Sequence, residues 1–93
     1  MYLKLSIDAF IWISNRPLTM TVRNSDTVPI QLFSCDILVD NVKRIFGISP
    51  SSELQPQTTC MVMIVGNFSA GKHELTITRD KERNVFHLEC AED

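Results

Sequence analysis

The chain has 93 residues and lacks several features that would assign it to a functional class. It has no basic run and a formal net charge of −2, so the electrostatic footprint of a nucleic-acid-binding protein is absent. Its longest apolar stretches, residues 10–13 and 60–65, fall far short of the roughly 20 residues that cross a bilayer, so we expect no membrane insertion by this chain. Lys4 and Asp8 interrupt the region that would be apolar in a secretion signal. The sequence therefore indicates either a cytoplasmic protein or an exported one whose anchor lies upstream of Met1.

The chain also lacks a C-x-x-C pair and a complete set of paired cysteines. Cys35, Cys60 and Cys90 are widely spaced, and an odd number argues against a disulfide framework. We expect them to be buried as small hydrophobic side chains, with at most one disulfide. Together with His73 and His87 they match no zinc-ligand spacing, so we expect no metal and no cofactor.

Apolar and polar residues alternate through most of the chain, which is typical of half-buried strands. The predicted strands are residues 3–13, 18–23, 28–39, 42–48, 58–65, 73–79 and 84–90. Seven short strands and no convincing helix predict an all-β, antiparallel, immunoglobulin-like sandwich, a single domain over residues 1–93. Within 28–39 the apolar parity changes between Leu32 and Cys35, which predicts a β-bulge.

Residues 66–72, Gly-Asn-Phe-Ser-Ala-Gly-Lys, have the spacing of a phosphate-binding loop. Such a loop opens a helix, but the residues after Lys72 alternate and include the β-branched run at 76–78. His73 also stands where the loop would place a metal-binding hydroxyl. We therefore interpret residues 66–72 as a connection between strands.

The residues after this connection form a predicted β-hairpin with a four-residue loop, residues 80–83. The register that groups apolar residues on one buried face places Leu75 opposite Leu88 and Ile77 opposite Phe86. On the other face it pairs Thr76 with His87 and Glu74 with Glu89, which we interpret as solvated.

Two pairs of residues are candidate interaction sites. If Leu5, Ile7 and their alternates face the core, Phe10 and Trp12 point outward and form a plausible contact patch. The alternative is that residues 49–57 cover these two aromatics. Met61 and Met63 lie, with Val65, on the second face of the strand at 58–65, either as a second contact surface or buried under a covering layer.

Three stretches of the chain resemble one family of β-sandwiches. LTMTVRNSDTVPIQL (18–32) resembles its second strand, Asn-containing turn and third strand. LQPQTTCMVMI (54–64) resembles a loop and strand in which Gln57 stands where glycine is usual, and SAGKHELTITRDKERNVFHLEC (69–90) resembles its closing hairpin. The family comprises the immunoglobulin-like domains that archaea use outside the cell, in type IV pilins and archaellum accessory proteins. The resemblance implies a non-catalytic domain that works through protein contacts.

Two functions follow as hypotheses. The first is a non-catalytic protein-binding or assembly module of an archaeal surface-filament or envelope system, which contacts a protein partner or further copies of itself. Its candidate contact residues are Phe10, Trp12, Met61 and Met63. The alternative is a small nucleotide- or ligand-binding protein that uses residues 66–72 and His73.

Overall fold

The computed structural model describes residues 4–14, 16–50 and 53–91. This part of the chain forms ten strands and one short 3-10 turn. The strands are β1 (Leu5–Ile11), β2 (Leu18–Asn24), β3 (Ile30–Gln31), β4 (Asp36–Val39), β5 (Val42–Arg44), β6 (Phe46–Ser49), β7 (Glu53–Leu54), β8 (Thr59–Ile64), β9 (Gly71–Arg79) and β10 (Glu82–Cys90). Over the three described ranges, no helix is long and apolar enough to cross a membrane.

The strands form two four-stranded sheets and one two-stranded ribbon. The first sheet has the order β1-β2-β8-β6, the second sheet has the order β10-β9-β4-β5, and β3 pairs with β7. All strand pairs are antiparallel, and apolar side chains from both sheets meet in one core. The prediction of an all-β antiparallel sandwich is confirmed, while the immunoglobulin-like label stays a prediction.

The strand count exceeds the predicted seven by three, because two predicted strands each divide in two and β7 forms within residues 49–57, where no strand was predicted. Residues 28–39 break at the 3-10 turn Leu32–Ser34, which carries the chain from the ribbon to the second sheet. This turn, rather than the predicted bulge, changes the apolar parity. Residues 42–48 break at Ile45, so that β5 joins the second sheet and β6 the first.

A β-bulge in β1 reverses the face that its side chains present. Ile7 lies opposite Val22, but the next pair in register is Ala9 with Thr21, so Asp8 is an extra residue. Asp8 also forms an exposed ion pair with Arg23, at 2.8 Å between Nη2 and Oδ2.

The prediction that Phe10 and Trp12 point outward is therefore wrong. Beyond the bulge these two side chains pack against the core. Trp12 Nε1 also donates a hydrogen bond to the carbonyl oxygen of Phe68, at 2.9 Å. Ile11 and Ile13 are exposed instead, at 62% and 53%.

The closing hairpin forms, but with a register two residues away from the predicted one. The turn has two residues, with Asp80 at φ 54°, so Arg79 pairs with Glu82. Leu75 consequently lies opposite Phe86 rather than Leu88, and Ile77 lies opposite Asn84.

A shift of two residues keeps every side chain on its predicted face. Leu75, Ile77 and Leu88 are buried as predicted, and Phe86 is half-buried. Glu74 faces His87 and Glu89 faces Lys72, so the predicted Glu74–Glu89 pair does not form. Thr76 is buried in spite of its place on the outer face, and His87 is exposed.

Candidate functional site

The outer face of the first sheet carries a surface that we call the apolar face. Strand register aligns one row across the four strands as Ile11, Thr19, Met63 and Gly47, and the next row as Ala9, Thr21, Met61 and Ser49. Val65 and Ile45 extend the face at one end, where the Val65 N–H donates to the Ile45 carbonyl oxygen at 2.8 Å. The face thus combines aliphatic, methionine and threonine side chains.

The large side chains of the apolar face are open to solvent. Ile45 is 78% exposed, and Met61, Met63 and Val65 are 48–53% exposed. Neither row contains a charged residue, and the ion pair of Asp8 and Arg23 lies beyond the second row. Large exposed apolar patches mark contacts with proteins or membranes, or ligand-binding grooves, so the apolar face is a candidate contact surface.

The second sheet has a contrasting outer face. Its strands present charged or ionisable side chains at the alternate positions Asp36, Lys43, Lys72, Glu74, Arg83, His87 and Glu89. Lys43 and Asp36 form an exposed ion pair at 3.3 Å. The outer face of the second sheet is therefore charged across all four strands, whereas the two aligned rows of the first sheet carry no charge.

A shallow groove of about 300 Å³ crosses the apolar face. Its lining includes Thr19, Ile48, Met61 and Met63, together with Gly47, where no atom lies within 4 Å of the position that a Cβ would take. Methionine side chains are unbranched and polarizable, so they adapt to partners of different shape. The groove and its methionines can accept an apolar side chain from a partner.

The predicted contact residues therefore separate into two groups. Met61 and Met63 lie on the apolar face, so their interpretation as buried residues is wrong. Phe10 and Trp12 lie beneath the same sheet, and a contact role for them stays a prediction. Val65 lies beside Met61 and Met63, on the face where the alternation placed it. The pattern analysis missed Ile11 and Ile45; the local signal for Ile11 is Asp8, the charged residue of β1.

A second group of polar side chains surrounds His73. Its Nδ1–H donates to Asp40 Oδ2 at 2.6 Å, and its Nε2–H donates to the Ser69 carbonyl oxygen at 2.7 Å. Neither acceptor has a hydrogen to give, so satisfying both bonds requires the doubly protonated imidazolium. We call Asp40, Ser69 and His73 the His73 latch.

The latch perturbs both of its ionisable groups. The bond to the Ser69 carbonyl and then the bond to Asp40 raise the pKa of His73. The Glu74 backbone N–H, which donates to Asp40 Oδ1 at 2.9 Å, and then His73 lower the pKa of Asp40. The latch joins the β4–β5 turn to the connection before β9.

The connection at residues 66–72 is not a phosphate-binding loop. It links β8 to β9, and Lys72 lies inside strand β9 rather than at a helix start. Phe68 is buried, with the Arg44 guanidinium 5.2 Å from its ring centroid. The interpretation of this segment as a connection between strands is confirmed for residues 66–70, whereas Gly71 and Lys72 belong to β9.

The three cysteines are buried and free. Burial raises the pKa of the thiols of Cys35, Cys60 and Cys90, which disfavours the reactive thiolate. They pack as small hydrophobic side chains, as predicted. In the described ranges no three His, Cys, Asp or Glu residues cluster as metal ligands would.

The fold is similar to that of a solved structure, the archaellum periplasmic stator protein FlaG from Sulfolobus acidocaldarius. The superposition has a TM-score of 0.74 at 14% sequence identity and covers 92% of this chain and 99% of that chain. No protein-family model matches the chain, and no curated protein matches it. At this level of identity the similarity concerns the fold. The resemblance to archaellum accessory domains that the sequence motifs indicated is thus confirmed as a resemblance of fold.

Proposed function

We propose that this protein is a non-catalytic protein-binding module that joins a larger assembly through its apolar face. The observation that carries the proposal is the difference between the two outer faces, one charged and one formed by exposed Ile11, Met61, Met63, Val65 and Ile45. Burial of apolar surface is the main favourable term in most protein–protein association. A partner that covers this face would bury the apolar side chains that the fold itself leaves exposed to solvent.

The fold similarity supports an assembly of the archaellum type. The similar chain carries the description of a periplasmic stator protein of the archaellum, and it matches over nearly its whole length. We therefore propose a protein partner in such a surface assembly, or further copies of this chain, as the occupant of the apolar face.

The test is site-specific photo-cross-linking in cells that carry the native gene. Met63 is replaced by p-benzoylphenylalanine, and the matched control carries the same group at Val28, which is 54% exposed in a loop. We expect a discrete protein adduct from position 63 and none from position 28. Equal adduct yields at the two positions would contradict the proposal.

The alternative, a nucleotide-binding protein, meets two physical objections. Lys72 lies beside an open cleft of about 440 Å³ that also exposes Glu74 and Glu89, two carboxylates that would repel a phosphate. Both ring nitrogens of His73 are engaged by acceptors. We expect ATP with Mg²⁺ to leave the melting temperature unchanged, since only a ligand of the native state raises it. A rise that disappears in Lys72→Ala would support the alternative.

A further inference from the structure

Strand β10 differs from the other three edge strands of the two sheets. β1 is interrupted by the bulge at Asp8, β5 has three residues, and β6 has four residues and is followed by Pro50. β10 pairs with β9 over nine consecutive residues without a register shift, and it contains neither proline nor glycine. Bulges, short length and proline are among the devices that prevent edge strands from pairing with another chain, and charged side chains are another. β10 has none of the first three, and its exposed charges, Arg83 and Glu89, are of opposite sign.

The hydrogen bonds of the neighbouring strand β9 show which backbone groups of β10 point to its open side. The Glu74 carbonyl oxygen accepts the Asp40 N–H at 2.8 Å, and the Glu74 N–H donates to Asp40 Oδ1, so its backbone groups face away from β10. The residue opposite Glu74 on β10 is His87, in a pair without direct backbone bonds. Alternation then directs the backbone N–H and C=O groups of Arg83, Val85, His87 and Glu89 toward the open edge.

The side chains of β10 are complementary to their own copy. Two antiparallel copies of β10 can be related by a two-fold axis perpendicular to the sheet. One residue then lies opposite the same residue of the other copy, with both side chains on the same face of the sheet. Phe86 is the midpoint of Glu82–Cys90, so an axis there pairs all nine residues of one strand with the nine of the other. It places Arg83 of each copy opposite Glu89 of the other, and Val85 opposite His87.

Both charges are available for such a contact. Arg83 and Glu89 are exposed, and neither has an ion-pair partner within the described part of the chain. An axis at Val85 would set Arg83 against His87, and an axis at His87 would leave Arg83 beyond the partner strand. The charge pattern thus selects the register centred on Phe86.

The same axis accounts for the half-buried state of Phe86. A groove of about 640 Å³ separates β10 from β1, and its lining includes Ile7, Phe10, Phe86 and Leu88. Asn84 Nδ2 donates across it to the Leu5 carbonyl oxygen at 3.2 Å. In the paired strands the two Phe86 side chains form a pair without direct backbone bonds, the closer of the two pair types, and each ring covers the other.

We propose that β10 is a docking edge for a second copy of this chain, which pairs antiparallel about a two-fold axis at Phe86. The two second sheets then continue as one eight-stranded sheet. This contact is separate from the apolar face, so either can fail while the other stands.

Charge exchange tests the register directly. In Arg83→Glu, each of the two pairs of positions 83 and 89 in the dimer holds two glutamates, and in Glu89→Arg each holds two arginines. The double variant restores an opposite-charge pair at both places. By sedimentation equilibrium at low salt we expect each single variant to raise the dimer dissociation constant about tenfold, and the double variant to return it to within about twofold of the wild type. A double variant as weak as either single variant, or a wild type that stays monomeric at millimolar concentration, would overturn the proposal.

A proline substitution tests the backbone contact independently. Val85→Pro removes an N–H that points to the open edge, so the monomer loses no sheet hydrogen bond. Val85→Thr is the control, since it keeps the N–H and the β-branched shape. We expect a folded monomer from Val85→Pro and a dimer from Val85→Thr, with folding checked by circular dichroism. A Val85→Pro protein that dimerises like the wild type would contradict pairing through β10.

Discussion

Asn24 lies at the end of β2 and is fully buried. Its side chain links β2 by hydrogen bonds to the following loop and to β7. Its Nδ2 donates to the carbonyl oxygens of Val28 and Leu54 at 2.9 and 2.8 Å, and its Oδ1 accepts the Asp26 N–H at 2.7 Å. These bonds satisfy one N–H and one carbonyl oxygen of the loop after β2, and one carbonyl oxygen of the short strand β7. The side chain of Asn24 is therefore a structural anchor for the turn that follows β2.

Asn24→Asp should destabilise the protein severely, since it keeps the shape of the side chain but removes both donors. Two carbonyl oxygens would then face a carboxylate. We expect a loss of about 2–4 kcal/mol in the free energy of unfolding, measured by urea denaturation. Asn41→Asp, at an exposed turn position, is the control. A loss below that of the control would show that these bonds contribute little.

The His73 latch predicts a pH dependence of stability. The pKa of His73 is raised, so its contribution is complete below the ordinary value of 6.5 and disappears as pH rises through the raised pKa. The pKa of Asp40 is lowered, so its contribution is complete above the ordinary value of 3.8 and disappears as pH falls through the lowered pKa. The latch is therefore strongest between these two ordinary values.

His73→Gln tests the latch because glutamine cannot donate to both acceptors as the imidazolium does. We expect the stability difference between wild type and His73→Gln to shrink as pH rises from 6 to 9, in chemical denaturation at each pH. His87→Gln, at an exposed position, should follow the wild-type profile. A difference that is constant with pH would mean that His73 is neutral in the folded state.

At the scale of single elements, periodicity predicted the existence of the strands better than their details. The buried face of the closing hairpin could be predicted because Leu75, Ile77 and Leu88 alternate with polar residues. Its register could not, since Asp80-Lys81 closes a two-residue turn where the alternation fits a four-residue loop equally well. Gln57 is a comparable case, because its φ of 62° explains the glycine usual at this position only once the backbone is known.

The full extent of the apolar face could not be predicted from the sequence because of one extra residue in β1, Asp8. Alternation through residues 5–13 continues past Asp8 as if β1 were regular, so the pattern assigned Ile11 to the core and Trp12 to the surface. The bulge exchanges these assignments. A candidate surface at Met61 and Met63 could be named from the sequence, but its extension across β1 depends on this irregularity.

The hairpin register predicts an order of side-chain contributions. Leu75 is fully buried opposite Phe86, so Leu75→Ala should cost about 2–5 kcal/mol. Phe86 is only half-buried, so Phe86→Ala should cost about 1–3 kcal/mol, less than the 3–5 of a core aromatic residue. Urea denaturation under conditions that keep the protein monomeric compares the two. A larger cost for Phe86→Ala would place that ring inside the core.

At the scale of the whole molecule, the two proposed contacts use different surfaces. The apolar face covers the outside of the first sheet, whereas the β10 edge lies at the side of the second sheet. A partner on the face and a second copy at the edge can therefore bind at the same time. Such a domain can extend an assembly in two directions.

The proposed function requires that another protein, or a further copy of this chain, cover the apolar face in the native assembly. Hydroxyl-radical footprinting tests it without any substitution, because Met61 and Met63 are half-exposed and Met20 is buried beneath the same sheet as an internal reference. Oxidation is measured by mass spectrometry for the purified monomer and for protein labelled in its native cells. We predict that Met61 and Met63 oxidise rapidly in the monomer and several-fold more slowly in cells, relative to Met20 in both samples. Equal relative rates in the two samples would contradict the claim.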